Sequence, residues 1–210
     1  MTGGVAASGC MSGQDRRWNH NTHYYPLVLA AVPPGCQRVL DVGCGEGMLA
    51  RRLVHRGRQV VGIDQDAASI EAARRQDPDG QIEFVCGDFL TCPFPPASFG
   101  LVSCVAALHH MDAAAALARM GQLLAPGGSV VIVGLARSGL LDLPWDAAAV
   151  IANLGHRVAK GYWQHPSPTV WPPAHTYRQI RVLAGETLPD ARYRRHLLWR
   201  YSLVWVRPAA

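Results

Sequence analysis

Length, composition and charge place this chain among globular proteins of one domain. Its 210 residues are 49% hydrophobic and 17% charged, which excludes global disorder and suffices for one full core. The net charge is +5, and no apolar run reaches the roughly 18–20 residues that a membrane span requires.

Strand and helix patterns alternate along most of the chain. The predicted strands lie near 37–42, 59–63, 82–86, 99–105 and 129–134, and the predicted helices near 46–55, 67–75, 112–124 and 145–158. We expect the third helix to be closed by Pro126-Gly127-Gly128 and the chain to end in a hairpin, with strands over 191–197 and 201–207 around a turn at 198–200. This alternation predicts an α/β fold with a doubly wound sheet.

The most informative segment runs from Val39 to Gly47 and reads Val-Leu-Asp-Val-Gly-Cys-Gly-Glu-Gly. A strand that breaks into glycines ahead of a helical pattern is typical of a nucleotide cradle, because glycine lets the backbone approach a ligand closely. Asp64 ends the next strand, about twenty residues after the first glycine, where a carboxylate can accept ribose hydroxyl bonds. The pattern predicts a cofactor that contains adenosine.

A dinucleotide is the alternative cofactor, and three details argue against it. The glycine spacing is G-x-G-x-G, whereas the dinucleotide fingerprint is G-x-G-x-x-G. Asp41 and Glu46 would repel phosphates but suit a ligand with an ammonium and a sulfonium group. Lys160 is the only lysine, and His156 stands where a short-chain dehydrogenase has its tyrosine.

Four blocks in this order resemble the class I S-adenosylmethionine (AdoMet)-dependent methyltransferases. They are residues 39–47, 60–64, 84–89 and 123–128. The resemblance covers residues 18–208 and is greatest to the small-molecule branch with the ubiquinone/menaquinone C-methyltransferase-like enzymes. It implies a Rossmann-like, seven-stranded sheet of order 3-2-1-4-5-7-6 with one antiparallel strand, in a single domain. It also implies AdoMet as cofactor and S-adenosylhomocysteine (AdoHcy) as product.

The resemblance and the needs of this cofactor assign its methionyl contacts. Gly43, Cys44 and Gly45 are expected to pass under the methionyl and ribose parts. Asp41 is expected to face the amino group directly or through water, and the carbonyls of Val105 and Ala106 to meet the ammonium.

The nucleoside contacts follow on the next two strands. Asp64 is expected to accept the ribose hydroxyls, and Gln65 to contact the adenine edge. Asp88 is expected to accept a bond from the adenine amine, with Phe89 packed on the ring.

Two histidines follow the fourth predicted strand and are the candidates for a catalytic base. His109 and His110 stand just beyond the expected methionyl site, and histidine suits proton transfer near neutral pH. The alternative is that one of them caps the next helix or packs under the cofactor. No acidic cluster suggests a metal site, and Asp112 is expected to cap the helix that follows it.

The segment 16–30 precedes the first strand and is predicted to form a lid over the cofactor. Its polar and aromatic side chains offer a stacking surface with polar tips; they include Trp18, His20, Asn21, His23 and Tyr24. The alternative is an N-terminal helix packed on the sheet, with His20 and His23 on its exposed face. Residues 1–15 are expected to be a flexible tail.

Residues 138–176 form a long insertion that is predicted to lie on the substrate side. Prolines and tryptophans in such a segment favour a binding loop. Trp163, Trp171 and His175 are the candidates to face the acceptor. The alternative is that these side chains cover the edge of the sheet.

The sequence predicts metal-independent, in-line methyl transfer to a small-molecule acceptor. The alternatives are an RNA methyltransferase that uses the basic C-terminal half and an AdoMet-binding protein without transfer activity. Residues 137–210 carry ten Lys/Arg and four acids, which gives +6. Against nucleic acid, residues 105–110 lack an Asn/Asp-Pro-Pro-aromatic signature, and Arg181, Arg192, Arg194, Arg195 and Arg200 are expected to be solvated.

The six cysteines and the N-terminus bear on location. The cysteines form no C-x-x-C pair, and residues 1–14 lack the basic and apolar regions of a signal peptide. We therefore expect a cytoplasmic protein without a membrane partner, as a monomer or homodimer.

Overall fold

A computed structural model describes residues 17–54, 58–164 and 171–209, so the expected tail over 1–15 lies outside the described residues. In chain order the elements are α1 (Tyr25–Ala30), β1 (Arg38–Val42), α2 (Met48–Val54), β2 (Gln59–Asp64), α3 (Ala67–Arg75), β3 (Ile82–Cys86), β4 (Phe99–Val105), α4 (Ala113–Leu123), β5 (Leu124–Gly134), α5 (Leu143–Lys160), α6 (Tyr177–Thr187), β6 (Arg192–His196) and β7 (Arg200–Val206).

The strands form one sheet of order β3-β2-β1-β4-β5-β7-β6. β1 pairs in parallel with β2 on one side and with β4 on the other. The order of the strands therefore reverses between β1 and β4, and this is the topological switch point of the sheet. β7 is antiparallel to β5 and β6. The predicted fold class, strand order and antiparallel strand are therefore confirmed. A parallel sheet places its ligand beyond the carboxyl ends of the strands that flank the switch point.

Apolar helix faces cover both sides of the sheet. On one side α4 and α6 bury Leu117 and Ile180 against the sheet, and on the other side α1, α2 and α3 bury Val28, Leu53 and Ile70. The central strands β1, β4 and β5 are buried on both faces, as expected for strands between two helical layers. This packing fixes the strand ends that carry the candidate site.

The start of β5 differs from the prediction. The strand begins at Leu124, directly after α4, although Pro126-Gly127-Gly128 was expected to close that helix. In β5, Leu124 pairs with β4 and the next residue to pair with it is Ser129, so residues 125–128 bulge out of the ladder. Gly127 has a φ of 75°, in the left-handed range, and its N–H donates to the Arg207 carbonyl at 3.0 Å. The glycines therefore form a bulge inside a strand.

The helix predicted within the insertion is present as α5. It is longer than expected and presents exposed apolar side chains at Ile151, Leu154 and Val158. None of the helices in the described part of the chain is long and apolar enough to cross a membrane.

Candidate functional site

The glycine loop after β1 adopts backbone conformations that side chains disfavour. Gly43, Gly45 and Gly47 have φ values of 69°, 54° and 75°. A Cβ on Gly43 would lie 2.2 Å from the Cβ of Ala107, so no larger residue fits there. The N–H of Gly43 donates to the Ile63 carbonyl at 2.8 Å, which ties the loop to the end of β2. The loop is a cradle of the kind that the sequence predicts.

Asp64 connects the end of β2 to this loop. Its Oδ2 accepts a bond from the Gly45 N–H at 2.8 Å, and its Oδ1 accepts one from the Asp66 N–H at 3.0 Å. Each carboxylate oxygen has about two lone-pair sites, so both can accept one further bond. The carboxylate is held in place and can still receive two hydroxyl groups.

Asp41 lies beneath the loop and is 2% exposed. The Ser103 hydroxyl donates to its Oδ1 at 2.9 Å. Burial, together with the charge of Asp64, raises the pKa of Asp41 to about 7, although the Ser103 bond acts in the opposite direction. Asp41 does not line the cavity described next, so a direct contact with the amino group gains no support from its position.

A cavity of about 720 Å³ opens beyond the carboxyl ends of β1, β2 and β4. Eight of the ten expected cofactor residues line it: Gly43, Cys44, Gly45, Asp64, Gln65, Phe89, Val105 and Ala106. Asp88 stands outside the lining, where its Oδ1 accepts bonds from Gln65 Nε2 at 3.3 Å and the Leu90 N–H at 2.9 Å. The cavity size falls within the roughly 300–1,000 Å³ of small-molecule sites.

Cys44 is a small buried side chain in this wall. Burial raises the pKa of its thiol well above the ordinary value, and the nearby charges of Asp41 and Asp64 act in the same direction. A neutral thiol is a weak nucleophile, so Cys44 serves as a small apolar residue.

The two candidate bases lie side by side in the cavity wall. His109 and His110 form a short 3₁₀ turn after β4, and their ring centroids are 4.1 Å apart. Burial, followed by the charges of His110 and Arg200, lowers the pKa of His109 to about 4; burial also lowers the pKa of His110. His109 Nδ1 is buried and has no hydrogen-bond partner among the described residues. Both rings are therefore neutral near pH 7 and able to accept a proton.

The segment before β1 packs across the cavity. His20 and Asn21 line it, and His20 Nε2 lies 2.8 Å from Asn153 Oδ1 of α5. Trp18 is 8% exposed and stacks on His156 of α5, with ring centroids 5.2 Å apart. Buried aromatic contacts anchor residues 17–30, here termed the covering segment, and their role as a lid stays a prediction.

Not all of the predicted lid residues reach the cavity. His23 accepts a bond from Trp18 Nε1 at 3.3 Å, and the Tyr24 hydroxyl donates to the Leu197 carbonyl at 2.5 Å. Trp18, His23 and Tyr24 are absent from the cavity lining, so they position the segment. Within the described ranges, no group of three or more His, Cys, Asp or Glu side chains comes together to hold a metal ion.

Comparisons with known proteins agree with this geometry. Residues 40–132 match the family model described as a methyltransferase domain. A protein of Mycobacterium tuberculosis, named an uncharacterized methyltransferase, is 39% identical over 196 residues, which cover 92% of this chain and 99% of that protein. The chain belongs to the AdoMet-dependent methyltransferases. AdoMet is its cofactor, as the sequence predicts.

Two further matches are a curated enzyme that is similar over part of its length and a solved structure that shares the fold. The ubiquinone biosynthesis O-methyltransferase of Idiomarina loihiensis is 36% identical over 135 residues, which cover 61% of this chain and 54% of that enzyme. The structure of a Haemonchus contortus phosphoethanolamine N-methyltransferase, solved with phosphomonomethylethanolamine and AdoHcy, matches with a TM-score of 0.63. That match has 18% identity and covers 89% of this chain and 53% of the other, so it shows the shared fold.

The insertion of this methyltransferase contributes to the cavity through residues other than those predicted. Trp163 contacts Arg17, whose guanidinium lies 4.0 Å from the ring centroid, and does not line the cavity. Trp171 is 68% exposed, and His175 lies in a shallow surface depression beside α6. Neither lines the cavity, so their acceptor contacts stay predictions that this geometry does not support. The insertion lines the cavity with Arg157, Tyr162 and Gln164 instead.

Arg200 is the main site residue that the sequence analysis missed. It was expected to be solvated, but it is 6% exposed and lines the cavity. Arg195 is also partly buried and pairs with Asp142 and Asp146, whereas Arg181, Arg192 and Arg194 are exposed as predicted. The available signal was the antiparallel direction of β7, which brings its first residue to the carboxyl ends of the parallel strands.

Proposed function

We propose that this methyltransferase transfers a methyl group from AdoMet to a small-molecule acceptor by in-line displacement, without a metal ion. The observation that carries the proposal is that the Asp64 carboxylate and the His109 and His110 rings line one and the same cavity. One end offers acceptors for a ribose and the other offers neutral bases. The small molecule bound beside AdoHcy in the Haemonchus contortus structure, which shares the fold, is in keeping with such an acceptor.

AdoMet would be bound in one half of the cavity, at the ends of β1, β2 and β4. Asp64 accepts the two ribose hydroxyls, and the loop over 43–45 passes beneath the ribose and methionyl parts. Phe89, which is buried at the cavity wall, packs on the adenine ring. Val105 and Ala106 meet the methionyl ammonium with their carbonyls. AdoMet supplies an electrophilic methyl group on a sulfonium.

The remaining steps belong to the protein. The covering segment and α5 exclude water and align the acceptor, since alignment and water exclusion supply much of the rate in such a displacement. The bond from the acceptor atom to the methyl carbon forms as the sulfur–carbon bond breaks. For an acceptor that loses a proton, His109 or His110 takes that proton, because both rings are neutral at pH 7.

The test is incubation of the purified protein with AdoMet and fractionated small-molecule extracts. We expect AdoHcy to accumulate together with a product one methylene unit heavier than its precursor. Transfer to purified RNA in place of small molecules would support the RNA methyltransferase alternative. AdoHcy binding without any product would support the alternative of a binding protein that does not transfer.

A further inference from the structure

The charges in the cavity are separated by sign. The acidic side chains that line it, Asp64 and Asp66, both stand at the end of β2. The cationic side chains that line it are Arg157 and Arg200. Arg200 begins β7, four strand positions from β2 in the sheet, and Arg157 packs on Tyr162; both cations act on the pKa of His20. The acidic end matches the ribose of the cofactor, so the cationic end is left for another ligand.

Arg200 is held entirely by neutral groups. Its Nε and Nη2 donate to Asn21 Oδ1 at 3.2 and 2.7 Å, and its Nη1 lies 3.2 Å from the Leu198 carbonyl and 3.3 Å from the Trp199 carbonyl. Among the described residues no carboxylate pairs with Arg200. A guanidinium has five N–H donors, so these four bonds leave at least one donor for a ligand.

A buried guanidinium without a counter-ion is costly, because the protein does not replace the water that solvated its charge. Burial lowers the pKa of Arg200 to about 10, so the group stays charged at neutral pH. Arg157 adds a second cation at the mouth of the cavity, with its guanidinium 4.8 Å from the ring centroid of Tyr162. The cost is offset if the ligand itself brings a negative charge.

The position of Arg200 points to the acceptor and away from the cofactor. It begins β7, which is separated from β4 by β5. Adjacent strands lie about 4.8 Å apart, so Arg200 starts roughly 10 Å across the sheet from the strand end assigned to the methionyl group. His109 lines the same cavity, and the charge of Arg200 contributes to the lowering of the His109 pKa, so the two side chains are within electrostatic reach of each other.

We propose that Arg200, with Arg157, binds an anionic group of the methyl acceptor, a carboxylate or a phosphate. The inference rests on the proposed function and adds the substrate class. The anionic group anchors the acceptor over β7 and leaves its nucleophilic atom towards His109 and the methyl group. Asn21 holds the guanidinium in place and thereby links the covering segment to the acceptor site.

The experiment uses the full chain saturated with AdoHcy and three probes of similar shape: benzoate, phenyl phosphate and neutral benzamide. Titration calorimetry measures their dissociation constants. We expect at least one anionic probe to bind 10-fold or more tightly than benzamide, and the better of the two identifies the carboxylate or the phosphate. Equal affinity for all three probes, or binding of none of them, overturns the proposal.

Variants assign the preference to the residue. Arg200→Gln should remove the preference for the anion, Arg200→Lys should retain part of it, and the exposed control Arg194→Gln should leave it unchanged. AdoHcy affinity should stay within twofold of wild type in all three. A preference that persists in Arg200→Gln overturns the proposal, as does a parallel loss of AdoHcy affinity, which would assign Arg200 to the cofactor carboxylate.

The wild-type titrations stand even where a variant fails to fold, and Arg200→Lys keeps the charge where Arg200→Gln is unstable. Failure of the proposed function would give a different result from failure of the anion-binding proposal. In that case wild-type protein would bind no AdoHcy or form no methylated product, whatever its preference among the three probes.

Discussion

The replacement Asp64→Asn tests the cofactor half of the site. The carboxylate already accepts two backbone bonds, from Gly45 at 2.8 Å and Asp66 at 3.0 Å. An amide has one acceptor oxygen and one NH₂ group, so it would turn a donor towards one of these N–H groups. It would also lose the charge and one of the two oxygens that face the ribose.

The expected loss follows from that count. A hydrogen bond to a charged group contributes about 1.5–3 kcal/mol; one such bond is lost and the other keeps only the strength of a neutral bond, so binding should weaken by about 2–4 kcal/mol. This corresponds to an increase of roughly 30- to 1,000-fold in the dissociation constant of AdoHcy. Titration calorimetry with AdoHcy measures it directly.

Asp77→Asn is the matched control. The Asp77 carboxylate also accepts two backbone bonds, from Gln81 at 3.2 Å and Ile82 at 2.8 Å, but it does not line the cavity. The Asp77→Asn variant should lose about as much stability as Asp64→Asn and should bind AdoHcy with wild-type affinity. Unchanged affinity in Asp64→Asn, or an equal loss in both variants, would refute the ribose assignment.

Three other changes probe the site. If His109 is the base, His109→Asn should lower kcat by about 10²–10⁴ in steady-state assays. The wild-type rate should then fall on the acid side near the His109 pKa of about 4, so an acid limb near 6.5 would contradict this role. Gly43→Ala should reduce AdoHcy affinity and lower Tm, because the new Cβ meets Ala107 at 2.2 Å; Gly80→Ala, at an open position with φ of 61°, should leave that affinity unchanged. Asp41 takes up a proton on folding because its pKa rises from 3.8 to about 7, so stability should decline as pH increases through that window. Asp41→Asn should flatten this decline in urea unfolding, and an unaltered pH profile would show that Asp41 does not titrate there.

The sequence predicted the parts of the site that depend on local order. The glycine loop and Asp64 belong to one strand–turn–helix–strand unit, in which spacing along the chain sets position in space. The same logic predicted Val105 and the two histidines, since carboxyl ends of parallel strands meet at one edge of the sheet. Asp112 caps α4 as predicted, with its Oδ1 accepting the Ala115 N–H at 2.8 Å.

The parts of the site that the sequence did not predict depend on contacts between distant segments. Arg200 resembles other basic residues of the hairpin in sequence, and its burial follows from the meeting of β7 with the covering segment. Trp171 and His175 were expected at the cavity because the insertion is rich in aromatics, but composition does not say which side chains turn inward. Asp88 depends on such contacts too, because its Oδ1 accepts bonds from Gln65 and Leu90 beside the cavity; its bond from the adenine amine stays a prediction.

The bonds from Arg200 to Asn21 and from Tyr24 to Leu197 join residues 179 and 173 positions apart in the chain. Such contacts close very long loops, so they form late in folding. During synthesis, the first strands can pair while the covering segment still lacks its partners Leu197 and Arg200. Only a chain that includes the start of β7 can therefore enclose its acceptor, and a shorter one offers an open cofactor cradle.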